Sequence, residues 1–260
     1  MSDSAKVSTA IAAVTSTMVR EFDLPSVLQL VADHACGCFD AYSAVVVLLD
    51  PRQVAGTAAL HVVAESSVHS HDVSPLVNTV GPALDSARTG GLALVDDLLT
   101  TQDTRWPKYR QRALDSGLRG VRAFPIVGTA AGIGSIVIHT EQPWAADSPN
   151  QAGQVFADLT ALALSTSLGP SRGFGLDQAI DSVLEGTTII ATASGILAEA
   201  RGLDPASARM ELIRLARAHE TTPTAHARAI LAAQRRYPTS PGDAGVLDPP
   251  KMDEPPRIDL

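Results

Sequence analysis

The sequence predicts an α+β fold in which helices cover an antiparallel β-sheet, followed by a small three-helix module. Runs of β-branched residues of strand length occur at 43–50, 59–65, 120–127 and 134–139. They lack the strict alternation of strand and helix that is typical of a doubly wound parallel sheet, which favours antiparallel pairing. A break rich in Gly and Pro at 169–175 then separates this region from a segment without strand signals.

Charge and hydropathy limit the classes of function. The 260 residues carry a formal net charge of −8, which repels nucleic acid at long range, so any RNA contact requires a local basic patch. Residues 171–240 carry eight Lys or Arg against seven Asp or Glu, whereas residues 1–170 carry ten against sixteen. The sequence has no signal-peptide pattern and no apolar run of membrane-spanning length, so we expect a soluble, cytoplasmic protein without a membrane partner.

Two helices precede the sheet. Apolar residues recur at helical spacing over 7–20 and 25–38, and Asp23 with Pro25 marks the start of the second helix. The first two strands follow and are predicted to pair as antiparallel neighbours.

The middle of the chain adds two short helices and a brief strand. Pro82 occupies the first turn of a helix that ends at Gly90, the strand covers 92–95, and Pro107 opens the next helix. A hairpin formed by the last two long strands closes the sheet, and an amphipathic helix over 148–167 is predicted to cover it.

The segment after the break is predicted to contain three helices. Residues 177–200 contain no proline, and Asp204 and Thr222, each followed by proline, provide two further helix starts. Residues 237–260 combine several prolines with scattered acids, and we expect them to be a disordered tail.

An apolar stripe follows the first of these helices, at Leu176, Ile180, Val183, Leu184, Ile190, Ile196 and Leu197. It could form a coiled-coil seam with a second copy, which would make the protein a homodimer. The alternative is packing against other helices of the same chain, and both can apply along different parts of the stripe.

Seven short motifs follow one another in fixed order over residues 5–168. They are Val80-Gly81-Pro82, Arg88-Thr89-Gly90, Val95-Asp96-Asp97-Leu98, Arg105-Trp106-Pro107, Gly117-Leu118-Arg119, Phe124-Pro125 and Ile133-Gly134-Ser135. This set resembles the GAF domain of actinobacterial GAF-ANTAR proteins, although Ala83 stands where that group often has Cys. The resemblance implies a sensor domain whose pocket, between the sheet and the polar segment 66–89, binds a small molecule of unknown identity.

A second set of motifs lies downstream of the break. It comprises Ala193-Ser194-Gly195-Ile196-Leu197, Gly202-Leu203-Asp204, Ala208, Leu212 and Ala227. These residues resemble the ANTAR domain, a three-helix module that binds RNA in its family. The resemblance implies a transcription antiterminator that recognises paired stem-loops in leader RNA. The chain departs from the family pattern at Thr187 (usually Arg), Ser194 (Lys), Ala198 (Met), Glu220 (Asn) and Pro223 (Leu).

Arginines are the candidate RNA-binding residues of this module. The candidates are Arg201, Arg209, Arg214, Arg217 and Arg228, and residues 199–236 carry seven Arg against four acids. Guanidinium groups bind phosphate and can stack on bases, and no Phe, Tyr or Trp lies between 177 and 236 to share the stacking. The alternative is an ordinary solvated face of a helical bundle.

Other candidate sites carry weaker signals. Trp106 and Tyr109 are candidate ligand-binding residues of the sensor pocket, with core packing as the alternative. The Cys36-x-Cys38 spacing is not a usual zinc arrangement, and the histidines at 69 and 71 would need further ligands, so we predict no metal site and no cofactor. The sequence has no nucleophile elbow or phosphate-binding loop, and we predict that the protein is not an enzyme.

Together these features predict a signal-responsive regulator with four parts. A GAF-like sensor covers 5–168, a linker 169–175, an ANTAR-like RNA-binding domain 176–236 and the tail 237–260. The alternative is a sensor whose helical module has lost RNA binding and serves dimerisation or protein interaction.

Overall fold

The computed structural model describes residues 3–19, 22–49, 60–68, 80–128, 132–145, 150–167, 176–236 and 245–250. The chain divides into two compact units, Met1–Leu184 and Glu185–Leu260.

The first unit combines helices with a β-sheet, as predicted. In chain order its elements are α1 Asp3–Met18, α2 Leu24–Cys38, β1 Ser43–Leu49, β2 Leu60–Ser67, α3 Pro82–Thr89, β3 Ala93–Val95, α4 Pro107–Asp115, β4 Gly120–Val127, β5 Gly132–Thr140 and α5 Asn150–Ser167. Local capping fixes several ends. The Asp23 carboxylate accepts a hydrogen bond from the Ser26 amide at 3.2 Å, and Gly90 ends α3 in the left-handed region with φ 66°.

The sheet has the strand order β2-β1-β5-β4-β3, and every neighbouring pair is antiparallel. The predicted antiparallel pairing is therefore confirmed. Strand β5 lies at the centre, where Ile136 is paired with Val46 of β1 on one side and with Phe124 of β4 on the other. Since successive side chains of a strand point to opposite faces, this register sends these three residues to the same face.

Helices bury both faces of the sheet. One face, which includes Val46, Phe124 and Ile136, forms a core with apolar residues of α1, α2 and α5. The opposite face packs against α3 and α4 and includes Val45 and Val137. The central strands therefore read as nearly continuous apolar runs, because neither face meets water.

A glycine permits the close approach of α5 to the sheet. A Cβ atom added at Gly153 would lie 2.3 Å from two ring carbons of Phe124. The Phe124 ring is 1% exposed and stacks on Phe39 at a centroid distance of 6.2 Å, so it has little freedom to move away.

In the described part of the chain, three further helices follow α5: α6 Leu176–Arg201, α7 Pro205–Ala218 and α8 Pro223–Arg236. Asp204 caps α7 by accepting hydrogen bonds from the amides of Ala206 and Ser207, both at 3.0 Å. Gly202 adopts a left-handed φ of 63° after α6, as a C-terminal glycine does. A third core joins these helices and includes Leu197, Leu212 and Ile230, so this part of the apolar stripe packs within the chain.

The division between the units falls inside α6, later in the chain than the predicted linker at 169–175. That linker lies outside the described residues. Ala179, Ile180 and Val183, at the start of α6, are buried in the core formed by α1, α2 and α5, which assigns them to the first unit. Burial of an apolar helix turn decides where the units divide, and the Gly-Pro break in the sequence does not mark that position.

The predicted disordered tail, 237–260, includes residues 245–250, which the structure describes as packed on the helical unit. Leu247 is 6% exposed within the third core, and Val246 packs against the same core. Val246 and Leu247 are adjacent apolar residues in a segment that is otherwise rich in Pro and acids. The free energy gained by burying them outweighs the tendency of this composition to stay disordered. The other tail residues lie outside the described part of the chain.

One described helix, Gln178–Arg201, is long and apolar enough to cross a membrane by length and composition. Its apolar character has another explanation, because Ile180, Val183, Ile190 and Leu197 are all 2% exposed or less within the cores of this fold.

Replacement of Gly153 by Ala is expected to lower the free energy of unfolding by about 3 kcal/mol, because the added methyl group overlaps the Phe124 ring. Urea denaturation measures the change. The matched control is Gly37→Ala on α2, where an added Cβ meets nothing within 4 Å and the better helix former stabilises by about 0.5–1 kcal/mol. Equal effects of the two substitutions would contradict the close packing of α5 on β4.

Candidate functional site

Trp106 and Tyr109, the two predicted ligand-binding residues, lie at the start of α4. Pro107 at the first helical position sets the direction of the helix, which places both rings in the core on the α3 and α4 side of the sheet. Trp106 is 8% exposed and Tyr109 is 2% exposed. The Arg105 guanidinium covers the Trp106 ring at 4.3 Å from its centroid. Their packing is established; a role in binding ligand stays a prediction.

A buried polar cluster lies beneath Tyr109. His139 of β5 stands opposite Ser43 of β1, and its Nδ1 is 3.0 Å from the Ser43 hydroxyl oxygen. The Tyr109 ring stacks on the His139 ring with a centroid distance of 6.3 Å and an angle of 28°. Neither the Tyr109 hydroxyl nor His139 Nε2 has a hydrogen-bond partner among the described residues. Burying such a group without a partner costs about 1–3 kcal/mol.

Burial sets the protonation states of this cluster. Removal from water lowers the pKa of His139 to about 4 and raises the pKa of Tyr109 above its usual range. At neutral pH the cluster therefore presents a neutral imidazole and a neutral phenol. Both groups can exchange hydrogen bonds with an uncharged polar ligand, whereas a ligand that required an imidazolium would be disfavoured.

Sequence reasoning missed His139, which it treated as a strand residue. The available signal was a lone histidine at the end of the apolar run 133–138, in a strand paired on both edges. The pairing with Ser43 depends on the register of β1 and β5, which a single sequence does not reveal.

Two aspartate–arginine pairs anchor the loop that leads from β3 to α4. The Asp97 carboxylate accepts two hydrogen bonds from Arg119, from Nε and Nη2, each at 2.8 Å, and this pairing holds the pKa of Asp97 well below its usual range. Asp96 lies 3.2 Å from Nη2 of the buried Arg122. These pairs fix the loop that carries Trp106.

A surface cleft of about 430 Å³ lies elsewhere on the first unit, and its lining includes Asp33, Cys36, Asp40 and Ser66. Trp106 and Tyr109 do not line it. Cys36 donates a hydrogen bond to the Ala41 carbonyl at 3.3 Å, and burial raises the pKa of this thiol, which disfavours the thiolate. Across the described ranges, no group of three His, Cys, Asp or Glu is placed to hold a metal ion. The histidines at 69 and 71 lie outside those ranges.

The predicted RNA-binding arginines occupy the second unit. On α7, Arg214 and Arg217 lie one turn apart on the exposed face, beside Met210, which is 65% exposed. Arg209 is half-buried on the same helix. Arg217 has no ion-pair partner within the described part of the chain.

Arg201, Arg214 and Arg228 each form an ion pair with an acidic side chain. Glu211 bonds both Arg201 and Arg214, with the Arg214 Nε and Nη2 atoms at 2.7 and 2.8 Å from the carboxylate oxygens. Arg228 on α8 lies 3.5 Å from Glu185. The structure thus brings Arg201 and Arg214 together around one carboxylate, a pairing that the sequence spacing did not predict.

Positions that depart from the ANTAR pattern have distinct environments. Ser194 is 9% exposed and Thr187 is half-buried, and their hydroxyl oxygens have no partner among the described residues. Glu220 adopts a left-handed φ of 54°, which Asn tolerates better than Glu. The hydroxyl groups of Ser194 and Thr187 are therefore buried within the helical unit.

Acidification is expected to destabilise the first unit through His139. The folded protein binds the proton only near pH 4, whereas the unfolded imidazole binds it near its ordinary value of 6.5. The unfolded state therefore binds more protons between these values, and stability falls by about 3 kcal/mol between pH 8 and pH 4 from this group.

Urea denaturation at several pH values tests this expectation. His139→Gln should lose this component of the pH dependence, whereas the control His34→Gln, at a half-buried position on α2, should retain it. An unchanged pH profile in His139→Gln would show that the imidazole is not held neutral by burial.

No protein-family model and no curated protein matches the chain. Among solved structures, a phycocyanobilin-bound GAF domain from a cyanobacterial phytochrome is similar with a TM-score of 0.51 and 13% identity, over 64% of this chain and 97% of that one. A phycoerythrobilin-bound GAF domain from a cyanobacterial phytochrome gives a TM-score of 0.49 and 13% identity, over 63% and 97%.

The chromophore-binding domain of a bacteriophytochrome from R. palustris is also similar, with a TM-score of 0.47 and 14% identity over 62% of this chain. The match spans 60% of the length of that protein. At these identities the likeness concerns the fold alone. The match with a TM-score of 0.51, together with the strand order and the helices on both faces, supports a GAF fold for the first unit.

Proposed function

We propose that the chain is a signal-responsive, RNA-binding transcription antitermination regulator, in which the GAF unit senses a cue and controls RNA binding by the ANTAR-like helical unit. The observation that carries the proposal is the exposed face of α7, where Arg214 and Arg217 lie one turn apart. Joint resemblance of the motifs in both parts of the sequence supports the same function.

The exposed face of α7 has the chemistry that RNA requires. Met210, Arg214 and Arg217 recur at intervals of four and three residues, so they share one side of the helix. Guanidinium groups can bind phosphate and stack on unpaired bases, and the Met210 side chain adds apolar contact area. Since the whole chain carries a net charge of −8, this local cluster must provide the attraction.

The polar cluster of the GAF unit is the proposed point of ligand action. The Tyr109 hydroxyl and His139 Nε2 are buried and have no partner among the residues that the structure describes, so a small polar ligand that hydrogen-bonds them would relieve an unfavourable state. Such a ligand would be uncharged, or would carry hydrogen-bonding groups that match those of the imidazole and the phenol, because the imidazole is neutral. Trp106 would contribute apolar contact near the same end of α4.

A second candidate function is a sensor whose helical unit serves dimerisation or protein interaction without RNA binding. The engagement of Arg201, Arg214 and Arg228 by acidic side chains favours it, since a paired guanidinium is less available to phosphate. Thr187 and Ser194, in place of the family's basic residues, favour it too.

Replacing Arg214 and Arg217 together by Ala is expected to remove most RNA retrieved with the full chain from cells. In titrations with a labelled RNA that carries two adjacent stem-loops, affinity should fall roughly ten-fold or more, and the salt dependence should weaken by about one unit of slope per lost phosphate contact. Sequencing of retrieved RNA and fluorescence anisotropy at several salt concentrations measure the two effects.

The matched control is Arg88→Ala, which removes one exposed arginine from α3 of the GAF unit. It should leave retrieval unchanged. If wild type and both variants retrieve only background RNA and show no salt-sensitive binding, the RNA-binding function is excluded. Self-association measured by sedimentation would then support the second candidate.

A further inference from the structure

The C-terminal segment Gly245–Asp248 packs on the helical unit through its apolar residues. Leu247 is 6% exposed in the core that includes Leu197, Leu212 and Ile230, and Val246 packs beside it. Gly245 introduces the segment with a left-handed φ of 69°, a conformation that favours glycine. Burial of two apolar side chains gives this segment a defined position on the helices.

The same segment surrounds Arg201 with hydrogen-bond acceptors. Nη2 of Arg201 donates to the Leu247 carbonyl and lies 3.1 Å from the Asp248 carboxylate, while Nη1 donates to Glu211. The Arg201 side chain is 29% exposed. Arg201 therefore has both terminal nitrogens of its guanidinium engaged, one of them by the C-terminal segment.

The end of the segment contacts a stacked pair of histidines, His219 and His226. The Asp248 carbonyl lies 2.8 Å from His219 Nε2, and because a carbonyl only accepts, this nitrogen donates. The His219 ring stacks on the buried His226 ring at 4.8 Å between centroids. The segment thereby contacts the end of α6 through Arg201 and the C-cap of α7 through His219, beside α8.

The acceptors around Arg201 resemble those that a nucleic-acid phosphate would offer. A phosphodiester would offer a guanidinium two neighbouring oxygen acceptors and one negative charge. The Leu247 carbonyl and the Asp248 carboxylate offer Arg201 the same combination. The two cannot occupy the same nitrogen atoms together, so phosphate binding at Arg201 requires this segment to leave.

We propose that Gly245–Asp248 is a cis-acting competitor that withholds Arg201 from RNA phosphate, so that RNA binding and docking of the segment exclude each other. This proposal rests on the RNA-binding function proposed above. The Asp248 carboxylate is 72% exposed, so its ion pair alone is weak, and burial of Leu247 holds the segment in place. The competitor can therefore be displaced without unfolding the helices.

The test uses the full chain with Asp248→Asn, Leu247→Ser and the two combined, titrated with the labelled RNA of two stem-loops. Release of Arg201 should tighten binding roughly three- to ten-fold, since one charge-assisted contact becomes available. The salt dependence should steepen by about one unit of slope for one added phosphate contact. The charge-matched control is Glu199→Gln, an exposed acid on α6 two residues from Arg201.

A double-mutant cycle separates competition for Arg201 from a general charge effect. In the Arg201→Ala background, Asp248→Asn should give no further gain in affinity. Equal gains with and without Arg201, or with Glu199→Gln, would overturn the proposal. Weaker RNA binding in both segment variants would also overturn it, because the segment would then be a structural support of the module. Urea denaturation of each variant checks that the helices stay folded.

An NMR readout on the protein itself distinguishes failure of this proposal from failure of the RNA-binding function. In ¹⁵N-labelled protein, the Arg201 side-chain signal should move in Asp248→Asn, and addition of the RNA to wild type should move it again while hydrogen exchange of the Leu247 amide accelerates. If no variant binds RNA, the RNA-binding function fails and the competitor fails with it. If RNA binds while exchange at Leu247 stays slow, only the competitor is excluded.

Discussion

Burial of both faces of the central strands is the constraint on which the first unit depends. Strand β5 is paired on both edges and covered on both sides, so its side chains reach either the core with α1, α2 and α5 or the core with α3 and α4. Each polar side chain in this layer must then find a partner inside the protein. Ser43 and His139 satisfy each other in part, whereas the Tyr109 hydroxyl and His139 Nε2 have no partner within the described ranges.

Close packing explains the glycine at position 153, and ion pairs hold the neighbouring loop. Gly153 brings α5 against Phe124, and the charged pairs Asp97–Arg119 and Asp96–Arg122 secure the loop that delivers α4. The buried polar cluster of Ser43, Tyr109 and His139 therefore lies on elements that are fixed from several directions. A ligand that supplied hydrogen bonds at this point would act on a rigid layer, in which a small change is not absorbed locally.

In the helical unit, acidic side chains and a backbone carbonyl already engage several guanidinium groups. Glu211 serves Arg201 and Arg214 at once, while the C-terminal segment adds an oxygen acceptor and a carboxylate at Arg201. The number of guanidinium N–H groups that are free to bind another partner depends on which acceptors already bind them. The number of arginines, which composition reports, is therefore a poor guide to how many can bind phosphate.

The sequence by itself determined the elements and their pairing class. Apolar periodicity, proline and capping residues located the helices, and clustered β-branched runs indicated an antiparallel sheet, because these signals act over a few neighbouring residues. Local composition could not decide where distant residues meet. The tertiary structure decided the register that joins Ser43 to His139 and the assignment of the first turns of α6 to the first unit. It also decided that Arg201 and Arg214 share Glu211, and that Leu247 is buried although its segment has a composition typical of disorder. Each depends on apolar burial or charge pairing between residues far apart in the chain, and a single sequence contains no measure of those distances.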